Sequence, residues 1–259
     1  MRCEPVMRSD GRGMAPSRSG RTALALVAWV SAMLAGAAAA GAVWSPAVTV
    51  PSSAAGSQSV IARDGAGRDV VAWLRGGSPD QVAASTRGLG GAFSTSVLSS
   101  DDVPPLEPPV IAADPSGPVA IAWVAQPTTP GDPPSQIDYV IGTAAGLGGR
   151  QTIPTAMTGA DPESVDVAVT PSETIFVWTQ TISGDTRVRA LIRSSSGAFS
   201  SVSALSDADQ DASSPRVSAA ADGAIVTWLQ SVEDTTTDGS EETTTNVTRV
   251  RVAARIPAG

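Results

Sequence analysis

The side chains of this chain that can do acid, base or metal chemistry are almost all carboxylates. No histidine and no lysine occurs, and the one cysteine is Cys3. The common nucleophile–base pairs therefore cannot be assembled. What remains is a pair of acids working as in a glycosidase, or several oxygen ligands gathered round a hard cation. The acids concentrate in short polar stretches: Asp101 and Asp102, Asp161 and Glu163, and Asp234, Asp238, Glu241 and Glu242. Asp207, Asp209 and Asp211 alternate in one further stretch, a spacing that can present carboxylates to Ca²⁺. Neither the glycine nor the closing glutamate of an EF-hand loop follows, so a solvated acidic loop is the simpler reading. No other cofactor is implied.

The elements that carry these acids repeat. Trp73, Trp123, Trp178 and Trp228 stand at matched points of one pattern, spaced by 50, 55 and 50 residues. Each ends a β-branched run that follows a short apolar run and an Asp/Gly/Pro turn, as in Val60 to Trp73 or Val110 to Trp123. An Ala/Val/Arg run, a glycine and a Ser/Thr-rich run come after. Four strands in a period near 50 residues is the sequence form of a β-propeller blade. The pattern predicts an all-β, four-bladed propeller with blades at 56–102, 105–160, 161–211 and 212–259. Repetition at one register predicts that the tryptophans pack between blades rather than line a sugar platform.

The last repeat lacks its fourth strand, and the segment Val43 to Val50 matches Ala198 to Leu205 without a gap. Residues 43–52 are therefore expected to supply that strand and close the ring, which removes exposed sheet edges. Two such chains can also combine into one eight-bladed ring, although a closed monomer is the first expectation.

Residues 1–42 read as a secretory leader. Five arginines precede the apolar run Thr22 to Gly36, and small residues follow near Ala40 and Ala42. Retention of that run as an anchor is the alternative. Without these residues, which hold five arginines and two acids, the net charge moves from −8 to −11. Such a chain repels nucleic acid and anionic lipid surfaces. No cysteine follows the leader, so an exported domain rests on its core rather than on disulfides.

On these repeats the chain resembles the Trp-containing repeats of secreted bacterial β-propellers, in the neighbourhood of sialidase-like folds. The Asp-box spacing of sialidases is not met by Asp64, Gly67 and Trp73, nor by Asp114, Gly117 and Trp123. A sialidase-like site would need an arginine cluster and a nucleophilic tyrosine. The sole tyrosine, Tyr139, stands where Val82, Val188 and Val250 stand in the other repeats, and Arg255 shares its register with Arg87 and Arg193. The repeat accounts for both.

In a propeller, the loops between second and third strands and the loops between blades emerge on one face. Here these are the acidic and irregular ones, including Gln126 to Gln136 and Ser231 to Asn246. Variable charged loops on one rim of a rigid scaffold are the usual seat of function. The expectation is an exported, non-catalytic binding module, secreted or at the cell surface, with an extracellular protein or a cell-envelope glycan as partner. The alternatives are a sialidase-like glycoside hydrolase and a ligand-free structural spacer or truncated array.

Overall fold

The computed structural model describes residues 47–50, 56–129, 134–154, 157, 161–220, 223–238 and 241–255. The chain divides into Met1–Val48 and Thr49–Gly259. The expected leader, and residues 43–46 and 51–52 of the expected closing strand, lie outside the described residues. Ala47 to Val50 are described and take no strand conformation. Among the described residues no helix is long and apolar enough to cross a membrane.

Thr49–Gly259 holds four antiparallel sheets. The first contains β1 (Gly56–Arg63), β2 (Asp69–Arg75), β3 (Gln81–Arg87) and β4 (Ser94–Val97) in that order. The second contains β5 (Val110–Ala113), β6 (Pro118–Ala125) and β7 (Gln136–Thr143), whose outer edge pairs with both β8 (Gly146–Leu147) and β9 (Gln151–Thr152). The third runs β10 (Pro162–Val169), β11 (Glu173–Ile182), β12 (Asp185–Ser194) and β13 (Ser203–Ala204). The fourth has three strands, β14 (Ala212–Ala220), β15 (Gly223–Asp238) and β16 (Glu241–Arg255).

Local chemistry sets the first hairpin of each unit. The Asp64 carboxylate accepts the N–H groups of Ala66 at 3.0 Å and Arg68 at 2.9 Å, while Gly67 supplies the φ of +73° that the turn requires. Burial pushes the Asp64 carboxyl up, but hydrogen bonds from Arg68 outweigh it and hold the group below its ordinary value. Gly65 is held by proximity: its N–H donates to the Pro115 carbonyl of the second sheet at 3.1 Å, and a Cβ there would collide with that carbonyl.

Three apolar clusters lie between consecutive sheets, and this is where the core sits. Val70, Ala72, Val82 and Ala84 of the first sheet meet Ile121 and Trp123 of the second. Ala120, Ile137 and Tyr139 then meet Phe176 and Trp178. Ile175, Val177 and Val188 meet Val226 and Trp228. Thus Trp123, Trp178 and Trp228 each point at the preceding sheet, and all four repeat tryptophans are buried. The indoles are core, as the repeat register requires.

A second repeated feature is a bulge near the start of the first strand. Register breaks fall between Ser57 and Val60, Glu163 and Asp166, and Ser213 and Arg216. Inside each break a non-glycine residue is left-handed: Gln58 at φ 50°, Ser164 at 47° and Ser214 at 52°. Bulges of this kind re-aim side chains at sheet rims. In the second sheet the matching position is Pro108, whose ring forbids that φ, and the ladder begins only at Val110.

Two expectations are modified. The polar segment Ser231 to Asn246 is a ladder rather than an irregular loop, with pairing continuous from Ser231↔Thr248 to Asp238↔Glu241. Its threonines are β-branched and pair across the strands, Thr235 with Thr244 and Thr236 with Thr243, so the ribbon forms despite its polarity. The fourth sheet shows no fourth strand among the described residues, and none of the three clusters joins it to the first sheet.

Candidate functional site

A groove of about 350 Å³ opens where the third and fourth sheets meet at their bulged ends. Glu163 and Ser164 come from β10 and Asp211, Ala212 and Ser213 from the approach to and start of β14. Thr179 and Thr186 come from β11 and β12, and Ser231, Thr248 and Leu229 from β15 and β16. Strand ends from the two loop sets thus meet in the groove. The bulges shape the groove, because Ser164 and Ser214 turn their strands away from the ladder at this end. Its chemistry is a set of hydroxyls and two carboxylates over one leucine.

The inter-sheet acids have a role in the repeat. Asp211 Oδ1 accepts the N–H of Thr186 at 2.9 Å, and Asp161 Oδ1 accepts the N–H of Ser135 at 3.1 Å. Asp101 Oδ1 accepts from Gln81 Nε2 at 2.6 Å. Each fastens the loop leaving a sheet to the start of that sheet's own third strand. Asp102 offers its backbone carbonyl to Thr128, through N–H at 2.8 Å and hydroxyl at 3.1 Å. Asp161 also takes a φ of 48°, which the short Asp side chain tolerates.

The expected calcium ligands are drawn to different partners. Asp211 is held by Thr186, Asp207 lies 3.7 Å from Arg251, and Asp209 sits at φ 66°. Among the described residues no group of three or more His, Cys, Asp or Glu side chains is placed to hold a metal ion. Asp234 pairs with Arg249 at 2.8 Å on the ribbon. Asp238, Glu241 and Glu242 lie at the far end of that ribbon, away from the groove lining.

Tyr139 is buried between the second and third sheets, and its pairing with Ala122 sets it in register with Ala84, Ala190 and Val252. Ile137 instead takes the place of Val82, Val188 and Val250 expected for it. The tyrosine hydroxyl donates to Gln151 Oε1 at 2.8 Å and its ring lies 5.1 Å from that of Phe176. Burial pushes that hydroxyl up. The arginines of matched register are dispersed. Arg87 binds Asp69, Arg193 reaches Gln151 at 3.4 Å, and Arg255 grips Glu173 through two bonds of 2.6 and 2.9 Å. Of the three, Arg193 lies over the Tyr139 ring at 5.8 Å, but Arg87 and Arg255 are bound elsewhere, so no cluster of the three forms round the tyrosine.

One buried and one half-buried acid escaped sequence reasoning. Asp138 is fully buried, accepting from Gln136 Nε2 and Thr152 Oγ1 at 2.7 Å each and from Arg150 at 3.2 Å. Burial pushes its carboxyl up. The available signal was its place in the repeat, where Ala83, Arg189 and Arg251 stand opposite the other tryptophans. Asp166, also raised by burial, accepts the Val217 N–H at 2.8 Å and so stitches the third sheet to the fourth. Its signal was weaker still, because Val60, Val110 and Arg216 hold the matching positions.

No protein-family model matches the chain. No curated protein matches it either. Among solved structures it is similar to a complex of BT0996 with RGII, at 7% identity and a TM-score of 0.42, over 76% of this protein and 70% of that one. It is also similar to a phage phi92 endosialidase, at 11% identity and a TM-score of 0.38. That match covers 64% of this protein and 29% of the endosialidase.

Proposed function

We propose that this chain is an exported, non-catalytic four-bladed β-propeller that binds a neutral, hydroxyl-rich glycan of the cell envelope. In this reading residues 1–42 direct export, the four sheets are blades, and residues 43–52 supply the strand that the fourth blade lacks, in the same chain or in a second copy. The observation that carries the binding reading is the groove between the third and fourth sheets, lined by Glu163, Asp211, Thr179, Thr186, Ser231 and Thr248. Hydroxyls and carboxylates side by side match the alternating donors and acceptors of a sugar ring, and Leu229 offers an apolar patch for its C–H face. Two carboxylates and a strongly acidic chain disfavour an anionic polysaccharide.

Calorimetric titration of the exported protein with chitotetraose and cellotetraose tests this, with polygalacturonate as the anionic control. A neutral oligosaccharide is expected to bind and polygalacturonate is not. Glu163→Ala is expected to weaken binding about tenfold, roughly 1.4 kcal/mol. Equal affinity in that variant, or binding of polygalacturonate alone, sinks the reading. Two carboxylates are also the minimum of a glycosidase, so reducing ends are measured in the same samples. Their release at a rate lost in Glu163→Gln would establish the hydrolase alternative instead.

A further inference from the structure

The fourth sheet has one covered face and one open face. Ala224, Val226 and Trp228 pack on the third sheet, while Ile225, Val250 and Val252 on the other face are 53%, 70% and 63% exposed. Ile225 stands in register with Val70, Ala120 and Ile175, and Val250 with Val82, Ile137 and Val188. Those six residues are all buried against the next sheet in the chain. The open face thus carries the same side chains that elsewhere receive a following sheet. A contiguous apolar face of this kind marks an interaction surface.

The repeat also says what fits there. At each junction inside the chain, the sheet that arrives brings a residue of the Ile111, Val167 or Val217 position. The matching residue of the first sheet is Ile61, paired with Val71, and it is 68% exposed. The two ends of the stack therefore match in register at Ile61, while Trp73, the counterpart of Trp123, Trp178 and Trp228, is already buried.

A cavity on the covered side of the fourth sheet marks a second unfilled place at that end. Between the third and fourth sheets lies a space of about 380 Å³, lined by Ile192, Ser203, Leu205, Ala224, Ala253 and other small or apolar residues. At the preceding junction Phe199 and Val202, from the outer part of the third sheet, pack against the core. The fourth sheet has no such outer strand among the described residues. The segment that matches Ala198 to Leu205 is Val43 to Val50, with Trp44 at the place of Phe199 and Ala47 at that of Val202. Val50 precedes β1 by nearly the spacing with which Leu205 precedes β14. Within the chain no cluster joins the first sheet to the fourth, so a first sheet for the open face comes from a second copy.

We infer that the open face of the fourth sheet is the docking surface for the head of a second copy of this chain. Two copies pair head to tail through two equivalent seams, Ile61 of each covering Val250 and Val252 of the other. The seam is heterologous, and two of them close a ring of eight sheets. This assembly is independent of what the groove binds.

Light-scattering mass of the exported protein tests it, with Val250→Glu on the tail and Ile61→Glu on the head. Wild-type protein is expected at twice the mass of one chain, and each variant alone at half that value. Mixing the two variants in equal amounts is expected to restore the doubled mass, because one keeps an intact tail and the other an intact head. Restoration also shows that both variants are folded. A single-chain mass for the wild type at every concentration overturns the inference, and so does a ladder of higher multiples. Loss of pairing in Val250→Glu but not in Ile61→Glu overturns it too, as does a failure of the mixture to pair.

Discussion

Asp69 shows how individual residues hold this fold. Its buried carboxylate accepts from Arg63 Nε at 2.6 Å and from Arg87 Nε at 3.1 Å, tying the first hairpin of the first sheet to its third strand. The Arg63 hydrogen bond, followed by those of Arg87, holds the carboxyl below its ordinary value against the opposing effect of burial. A folded-state value below the unfolded one means that the group stabilises the fold above the usual carboxylate range. That contribution is lost as pH falls through the lowered value. Asp69→Asn is therefore expected to cost about 2 kcal/mol at neutral pH, with the deficit shrinking towards zero as acid protonates the wild type. Urea titrations of both proteins across the acidic range measure it. Gln230 gives a second case. It accepts the Trp228 indole N–H at 3.1 Å and donates to Gln210 at 3.0 Å. Gln230→Leu leaves a buried donor unpaired and is expected to lose about 1–3 kcal/mol. Trp123 and Trp178 have no such partner for their indole N–H, so Trp178→Phe forfeits packing but no hydrogen bond. Its melting temperature should fall less than that of Trp228→Phe, which also leaves Gln230 Oε1 without its donor.

At the scale of elements, the long ribbon of the fourth sheet separates what folds from what projects. Val232 pairs with Val247, and everything beyond them is polar. Joining these two valines through Asn-Gly makes a two-residue hairpin of the favoured kind. The shortened protein is expected to melt within a few degrees of the wild type; a large drop in a thermal scan would show that the ribbon supports the core. This ribbon also marks a limit of sequence reading. Alternating apolar residues made the inner strands legible, because one face of each is buried at a period of two. From Glu233 to Asn246 both faces are wet, so no hydrophobic alternation remains and only β-branching hints at a strand. The bulges were illegible for a different reason: Gln58, Ser164 and Ser214 share a backbone conformation but no residue type. The acids near the groove were legible as a group, but not as latches. That role depends on which N–H lies within hydrogen-bond reach, and composition does not encode it.

Within Thr49–Gly259 the four sheets form a stack in which each is buttressed by its immediate neighbours. Stability in such arrays is close to a sum of unit and seam contributions, so a damaged seam should uncouple one end rather than collapse the whole. The first seam relies on Gly65, whose N–H reaches the Pro115 carbonyl. Gly65→Ala forces those backbones apart and is expected to split a single calorimetric transition into two, the smaller belonging to residues before about position 100. A single shifted transition would show instead that the four sheets melt as one. The way the indoles face has a longer-range outcome. Since Trp123, Trp178 and Trp228 all look backwards along the chain, every unit carries a tongue on one side and a slot on the other. Genes encoding such tiles can gain or lose a tile by unequal crossing-over while every surviving joint stays matched, which makes the number of tiles, rather than their design, the easiest trait for evolution to change.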